Sequence, residues 1–280
     1  MQSAPSPANR RNDLTAFQDL LQRVAAAGWP HGREQSFKMA QGSLLRDRLL
    51  LGVQRSAMLP SHLWTLAREL GMPPAGQELL AQHWERANAV FLATEESDTA
   101  RMYKVYLEFW DEARRAVRGG ARSAQLLHLG VKWSSARPGH HEEARYMVHP
   151  LLGLRDIQRR MADCYPAQSP GAGLELARAV VRRAAMRNPQ AAFLYLEASE
   201  AGNPRRSFDI NLYKSGLRVG EVAAELRSLA QHFGIAEGDI EEQLRQLGEL
   251  ALGHISGGCD RRGAEFLSVY AEIAPLPDAA

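Results

Sequence analysis

Apolar residues change their spacing several times along the chain, and each change marks an element. Leu14, Phe17, Leu20, Leu21 and Val24 recur at helical spacing, which predicts a helix N-capped by Asp13 and stopped by Gly28. Leu49-Leu50-Leu51-Gly52-Val53 fits either a short buried strand or part of a helix, because a run this short has no diagnostic period. Ser61 is expected to cap a helix through Leu70, broken by Gly71-Met72-Pro73-Pro74, with another over about 76–88.

From Val90 onward the pattern becomes alternating. Val90–Glu95 and Arg101–Trp110 read as strands joined by a turn at Ser97-Asp98, followed by a short helix Asp111–Arg118. Leu126–Ser134 and Arg145–Leu151 form a second pair around Arg137-Pro138-Gly139. Helices are expected at 154–163 and 174–187, separated by the breaker stretch Pro166–Gly173. A third pair, Ala192–Glu200 and Ser207–Lys214, turns at Gly202-Asn203-Pro204. Val219, Val222, Leu226, Leu229 and Phe233 mark one further helix, and Ile240, Leu244, Leu247 and Leu250 mark another. Gly253–Ser256 and Glu265–Ile273 close the pattern, with Gly257-Gly258 and Asp260 in the turn. The expected fold is α+β: an antiparallel β-barrel or strongly curved sheet of ββα units with helices on its outer face. Residues 1–12 read as a disordered leader and 13–280 as a single domain.

Composition narrows the setting. The 280 residues carry 34 basic and 32 acidic side chains, a net charge of +2, so no global attraction to nucleic acid exists. No apolar run reaches the roughly 18 residues of a membrane helix, and the first residues lack a secretory apolar core. Cys164 and Cys259 lie far apart with no C-x-x-C spacing and read as free thiols. A cytoplasmic location is expected, and the Arg- and Ala-rich composition suggests a bacterial gene. His140-His141-Glu142-Glu143 reads as a polar hairpin loop, and Gly257–Gly263 as a turn, since a phosphate-cradling loop should open a helix. Arg159-Arg160 and Arg182-Arg183 read as solvated helix faces.

Successive strand residues face opposite ways, so each strand sorts into two sets. One set is apolar and suits packing under helices: Tyr103, Val105, Leu107 and Phe109, then Leu127, Leu129, Val131 and Trp133, then Phe208, Ile210 and Leu212. The other holds Lys104, Tyr106 and Glu108, His128 and Lys132, Arg145 and His149, and Tyr195 and Glu197. Asp209, Asn211 and Tyr213, and Tyr270 and Glu272, continue it. Aromatic rings among charges suit a wet cavity for a ligand with apolar and anionic parts. An open sheet with one water-facing side gives the same alternation, so a non-catalytic protein holding a peptide or partner on a Tyr-rich sheet remains the alternative.

Three segments resemble the aromatic prenyltransferases of the ABBA type: Arg101-Met102-Tyr103-Lys104-Val105-Tyr106, Arg206–Tyr213 and the hairpin strand Phe266–Glu272. The resemblance lies in architecture and residue character over about 45–273, without a signature motif. The family builds five αββα units around a lumen. Four hairpins are readable here, which places a fifth in 33–60 and leaves barrel closure open. The resemblance implies transfer of a prenyl group from an allylic diphosphate to a small aromatic acceptor, with no cofactor. It implies Lys104, Lys132 and Arg145 as the cations on the diphosphate, their heads within several ångströms of one another. Tyr106, Tyr195, Tyr213, Tyr270, His128, His149 and Asn211 complete the substrate-binding set. Glu108, Glu197, Asp209 and Glu272 are the expected bases. No Asp-rich D-D-x-x-D motif is present, so no metal site is expected.

Overall fold

A computed structural model describes residues 15–97, 100–166, 171–200 and 202–277. Among them the chain forms ten strands and eight α-helices. The strands are β1 (His31–Ala40), β2 (Ser43–Gln54), β3 (Ala89–Ser97), β4 (Ala100–Glu108), β5 (Gln125–Ser134), β6 (His141–His149), β7 (Leu194–Glu200), β8 (Asn203–Asn211), β9 (Ala251–Cys259) and β10 (Glu265–Ala274). All neighbours are antiparallel, and β10 pairs with β1 to close the barrel. The helices are α1 (Ala16–Ala26), α2 (Pro60–Glu69), α3 (Pro74–His83), α4 (Trp110–Arg118), α5 (Leu154–Asp163), α6 (Ala172–Arg187), α7 (Ala223–His232) and α8 (Glu237–Leu247). No described helix is long and apolar enough to cross a membrane.

The expected α+β barrel of ββα units is the observed architecture, with one more hairpin than the alternation revealed. That hairpin is β1–β2. β1 alternates polar lumen residues (Glu34, Ser36, Lys38) with only two buried outward side chains, Phe37 and Met39, so it carries almost no apolar signal. In β2 a bulge opposite Ser36–Lys38, with Asp47 at φ 53°, shifts the alternation between Leu45 and Leu49. The run Leu49–Val53 is therefore strand, its Leu49, Leu51 and Val53 facing the helices.

Several boundaries also differ. The leader and Asp13 lie outside the described residues, as do Asp98 and residues 167–170 of the breaker stretch. Thr15 caps α1, accepting from Gln18 N while Gln18 reaches back to Thr15 N. Pro60, at the first turn, starts α2 ahead of Ser61. β4 stops at Glu108, and Trp110 already belongs to α4. His141, Glu142 and Glu143 are strand residues of β6, not loop. Tyr213 lies past β8 in a 3-10 turn, Tyr213–Ser215. Gly257 and Gly258 belong to β9.

The apolar core lies between barrel and helices in two clusters. One gathers α1–α3 over β2–β5, with Leu20, Leu63, Leu80 and Leu92 fully buried. The other gathers α5–α8 over β7–β10, around Tyr195, Phe208, Ile210 and Leu267. Wrapping helices around the barrel's outside leaves its polar faces converging inside.

Candidate active site

The barrel encloses a cavity of about 280 Å³. Its wall is divided into a cationic region, an acidic region and an aromatic–apolar region.

The cationic region is set by β2, β3, β4 and β10. Ser36 lies opposite both Arg48 and Tyr270, and Ala93 lies opposite both Leu50 and Lys104. Lys104 Nζ and Arg48 Nε donate to the same Glu95 oxygen at 2.9 and 3.1 Å. Burial alone would protonate Glu95, but Lys104, Arg48 and Lys38 hold it well below the usual carboxylate range. Arg48 Nη2 donates to the Tyr270 hydroxyl at 3.4 Å. The remaining Arg48 nitrogen, Nη1, is buried without a hydrogen-bond partner, on a side chain only 9% exposed.

The acidic region joins β1, β8 and β9. His254 Nδ1 lies 2.7 Å from Asp209 Oδ1, and its Nε2 lies 3.7 Å from Glu34 Oε1. Burial would discharge this imidazole, but Asp209 and then Glu34 raise its pKa to about 9. Tyr213 donates its hydroxyl to Glu34 Oε1. Glu34 Oε2 is buried without a partner, and burial raises this carboxyl, with Asp209 and Glu272 adding repulsion.

The third region runs Phe91–His128–Tyr146–Tyr106, each ring meeting the next edge-on at 5.6 to 5.9 Å. The Tyr106 ring packs against Gly130, where a Cβ would fall 2.3 Å from it. Leu50, Leu127, Leu194 and Leu196 extend this wall. Burial lowers His128 to about 4, and burial with Asp111 nearby raises Glu108 to about 7.

Nine of the expected site residues line this cavity: Lys104, Tyr106, Glu108, His128 and Tyr270, with Asp209, Asn211, Tyr213 and Glu272. Five do not. Lys132 is sealed by Glu200 at 2.5 Å, towards the hairpin-turn end. Arg145 points outward, 59% exposed, and pairs with Glu143. Tyr195 is buried in the outer core, and Glu197 pairs outside the barrel with Arg160 of α5 and with His149. The expected cluster of Lys104, Lys132 and Arg145 is thus dispersed. Alternation sorts a strand into two sets but does not say which is inside. In β6 and β7 the lumen takes Tyr146, Leu194 and Leu196, while α5 supplies Arg160 to the polar set outside. Sequence reasoning also missed Glu34 and Arg48, which sit in the unassigned hairpin. His254 falls on the polar face opposite Ile255 in the sequence pattern but was not among the expected site residues.

Among the described residues no group of three or more His, Cys, Asp or Glu is set to hold a metal ion. No family model matches the chain, and no curated protein resembles it in sequence. Solved structures do resemble it. AnaPT from Neosartorya fischeri is 14% identical with a TM-score of 0.53, the match covering 89% of this chain and 80% of that one. 5-Dimethylallyltryptophan synthase from Streptomyces coelicolor is 15% identical with a TM-score of 0.51 over 86% and 80%. The apo form of the prenyltransferase PriB is 14% identical with a TM-score of 0.54 over 90% and 83%. What is shared at these identities is the closed barrel of the aromatic prenyltransferases.

Proposed function

We propose that this barrel is a prenyltransferase-like enzyme, transferring the prenyl group of an allylic diphosphate to a small aromatic acceptor inside the lumen. The observation that carries the reading is Arg48. A guanidinium buried in the wall of a closed cavity, beside Lys104 and Tyr270, with one nitrogen lacking a partner, calls for an anion. The neighbours' shared fold supports the same class.

In this reading Arg48, Lys104 and the Tyr270 hydroxyl hold the diphosphate. As the allylic C–O bond breaks, the electron pair leaves on the diphosphate oxygen, and these donors stabilise that charge. The allyl cation forms beside Tyr106, Tyr146 and Phe91, whose rings exclude water and whose faces attract positive charge. The acceptor ring attacks the cation and then loses a proton. Glu34 Oε2 is placed to take it or to hold an acceptor N–H, being buried, unpartnered and oriented by Tyr213. Asp209 is engaged with imidazolium His254 and acts by positioning that wall. Glu197 has no part, lying outside. A Tyr-rich docking sheet would need an open face, and this one is enclosed.

The test is turnover. Incubation with dimethylallyl diphosphate and a panel of indoles and phenols, followed by mass spectrometry, is expected to give a product heavier by one prenyl unit. Loss of product in Arg48→Met with retained fold supports the assignment; no product from any acceptor, together with no diphosphate release, contradicts it.

A further inference from the structure

Past β10 the described residues stay against the barrel. Residues 275–277 bend over its lip, where Gln54 Nε2 donates to Pro277 O at 3.0 Å, and Leu276 lines the cavity. They pass through a notch made by two glycines. Gly32 of β1 and Gly52 of β2 are directly opposite one another, and Gly52 is opposite Phe91 of β3. A Cβ on Gly32 would lie 2.6 Å from the backbone N and Cα of Leu276. A Cβ on Gly52 would lie 2.9 Å from the Phe91 ring and 3.3 Å from Leu276 Cδ1. Neither glycine has a positive φ, so backbone conformation does not require them; the space does.

The notch has a fixed relation to the cations. Lys104 lies opposite Ala93, and Tyr106, two residues further along β4, lies opposite Phe91. Two residues of strand span roughly 7 Å. A diphosphate on Lys104 and Arg48 that points its hydrocarbon along this wall therefore brings a five-carbon chain level with Phe91 and Gly52. The next five-carbon unit would meet Leu276.

We propose that Leu276 is a specificity-determining residue, the wall that limits the donor to a single isoprene unit. This rests on the transferase reading above. The C-terminal segment completes the lumen, and the Gly32–Gly52 notch seats it.

Calorimetry with dimethylallyl and geranyl S-thiolodiphosphates tests it. The wild type is expected to bind the dimethylallyl analogue more tightly. Leu276→Ala, which removes the wall, and Gly32→Ala, which displaces the segment's backbone, are each expected to raise the geranyl/dimethylallyl affinity ratio about tenfold, with Tm retained. A wild type that binds both equally, or a ratio unchanged in both variants, overturns the proposal. A second readout needs neither analogue. Cys164 and Cys259 are buried, so a single cysteine introduced by Phe91→Cys reports access to the lumen by maleimide labelling. Adding Gly32→Ala is expected to speed its labelling about tenfold; an unchanged rate also overturns the proposal. If neither analogue binds any variant while labelling accelerates, the transferase reading fails, and with it the donor-length role, although Leu276 still walls the cavity.

Discussion

Replacing Asp209 by asparagine is expected to remove the alkaline decline from the protein's pH–stability profile. His254 rises from 6.5 to about 9 because Asp209 and Glu34 overcome the effect of burial. At 1.36 kcal/mol per pKa unit this corresponds to about 3 kcal/mol, for a side chain only 22% exposed. The folded state binds this proton more tightly than the unfolded chain. The contribution is therefore complete below pH 6.5 and is lost as pH rises through about 9. Glu108, raised from 4.5 to about 7, has the same sign in a lower window, losing stability from about pH 4.5 to 7. His128, lowered from 6.5 to about 4, has the opposite sign and gains stability across about pH 4 to 6.5. The last two oppose one another, Glu34, also raised, adds a loss as pH rises, and the profile is expected to fall from about pH 6.5 to 9. In Asp209→Asn only Glu34, 3.7 Å away, still opposes burial, so His254 discharges at lower pH; stability near pH 6 drops by up to about 3 kcal/mol and the alkaline decline disappears. Urea unfolding from pH 5 to 9.5 measures both curves. Parallel declines in wild type and variant would refute the charged Asp209–His254 pair.

Three further outcomes follow from placement. Arg145→Met and Glu197→Gln, both outside the barrel, are expected to leave diphosphate-analogue affinity within about twofold by calorimetry, as surface ion pairs contribute little. Gly130→Ala should push the Tyr106 ring into the lumen, destabilising the protein by about 1–3 kcal/mol in chemical unfolding and weakening ligand binding. Lys132→Met leaves the 4%-exposed Glu200 side chain without its ammonium partner and is expected to cost about 3 kcal/mol, with Glu200→Gln in the same background recovering part of it.

Where helices cover one face and polar groups fill the other, period-2 alternation is strong. β4, β8 and β10 were accordingly readable, with their lumen residues Lys104, Tyr106, Asp209, Asn211 and Tyr270. The alternation carries no sign. In β7, Leu194-Tyr195-Leu196-Glu197 satisfies either orientation, and what turns it is Arg160, on a helix distant in sequence. β1 was hidden for a different reason: its lumen face is polar, its outer face supplies two apolar residues, and a bulge in β2 breaks the register beside it. Of the cavity-lining groups with unpartnered buried atoms, Arg33, Glu34 and Arg48 lie in this hairpin and Thr94 lies in β3. A lumen needs polar strands, and polar strands weaken the signal used to find them.

In the proposed function the lumen binds an allylic diphosphate through Arg48. The most direct test is a calorimetric titration of wild type and Arg48→Met with dimethylallyl S-thiolodiphosphate. Losing one charge-assisted bond of about 1.5–3 kcal/mol should weaken binding roughly ten- to a hundredfold, with the fold retained. Equal affinity in the two proteins, or no heat from the wild type at millimolar ligand, would contradict it.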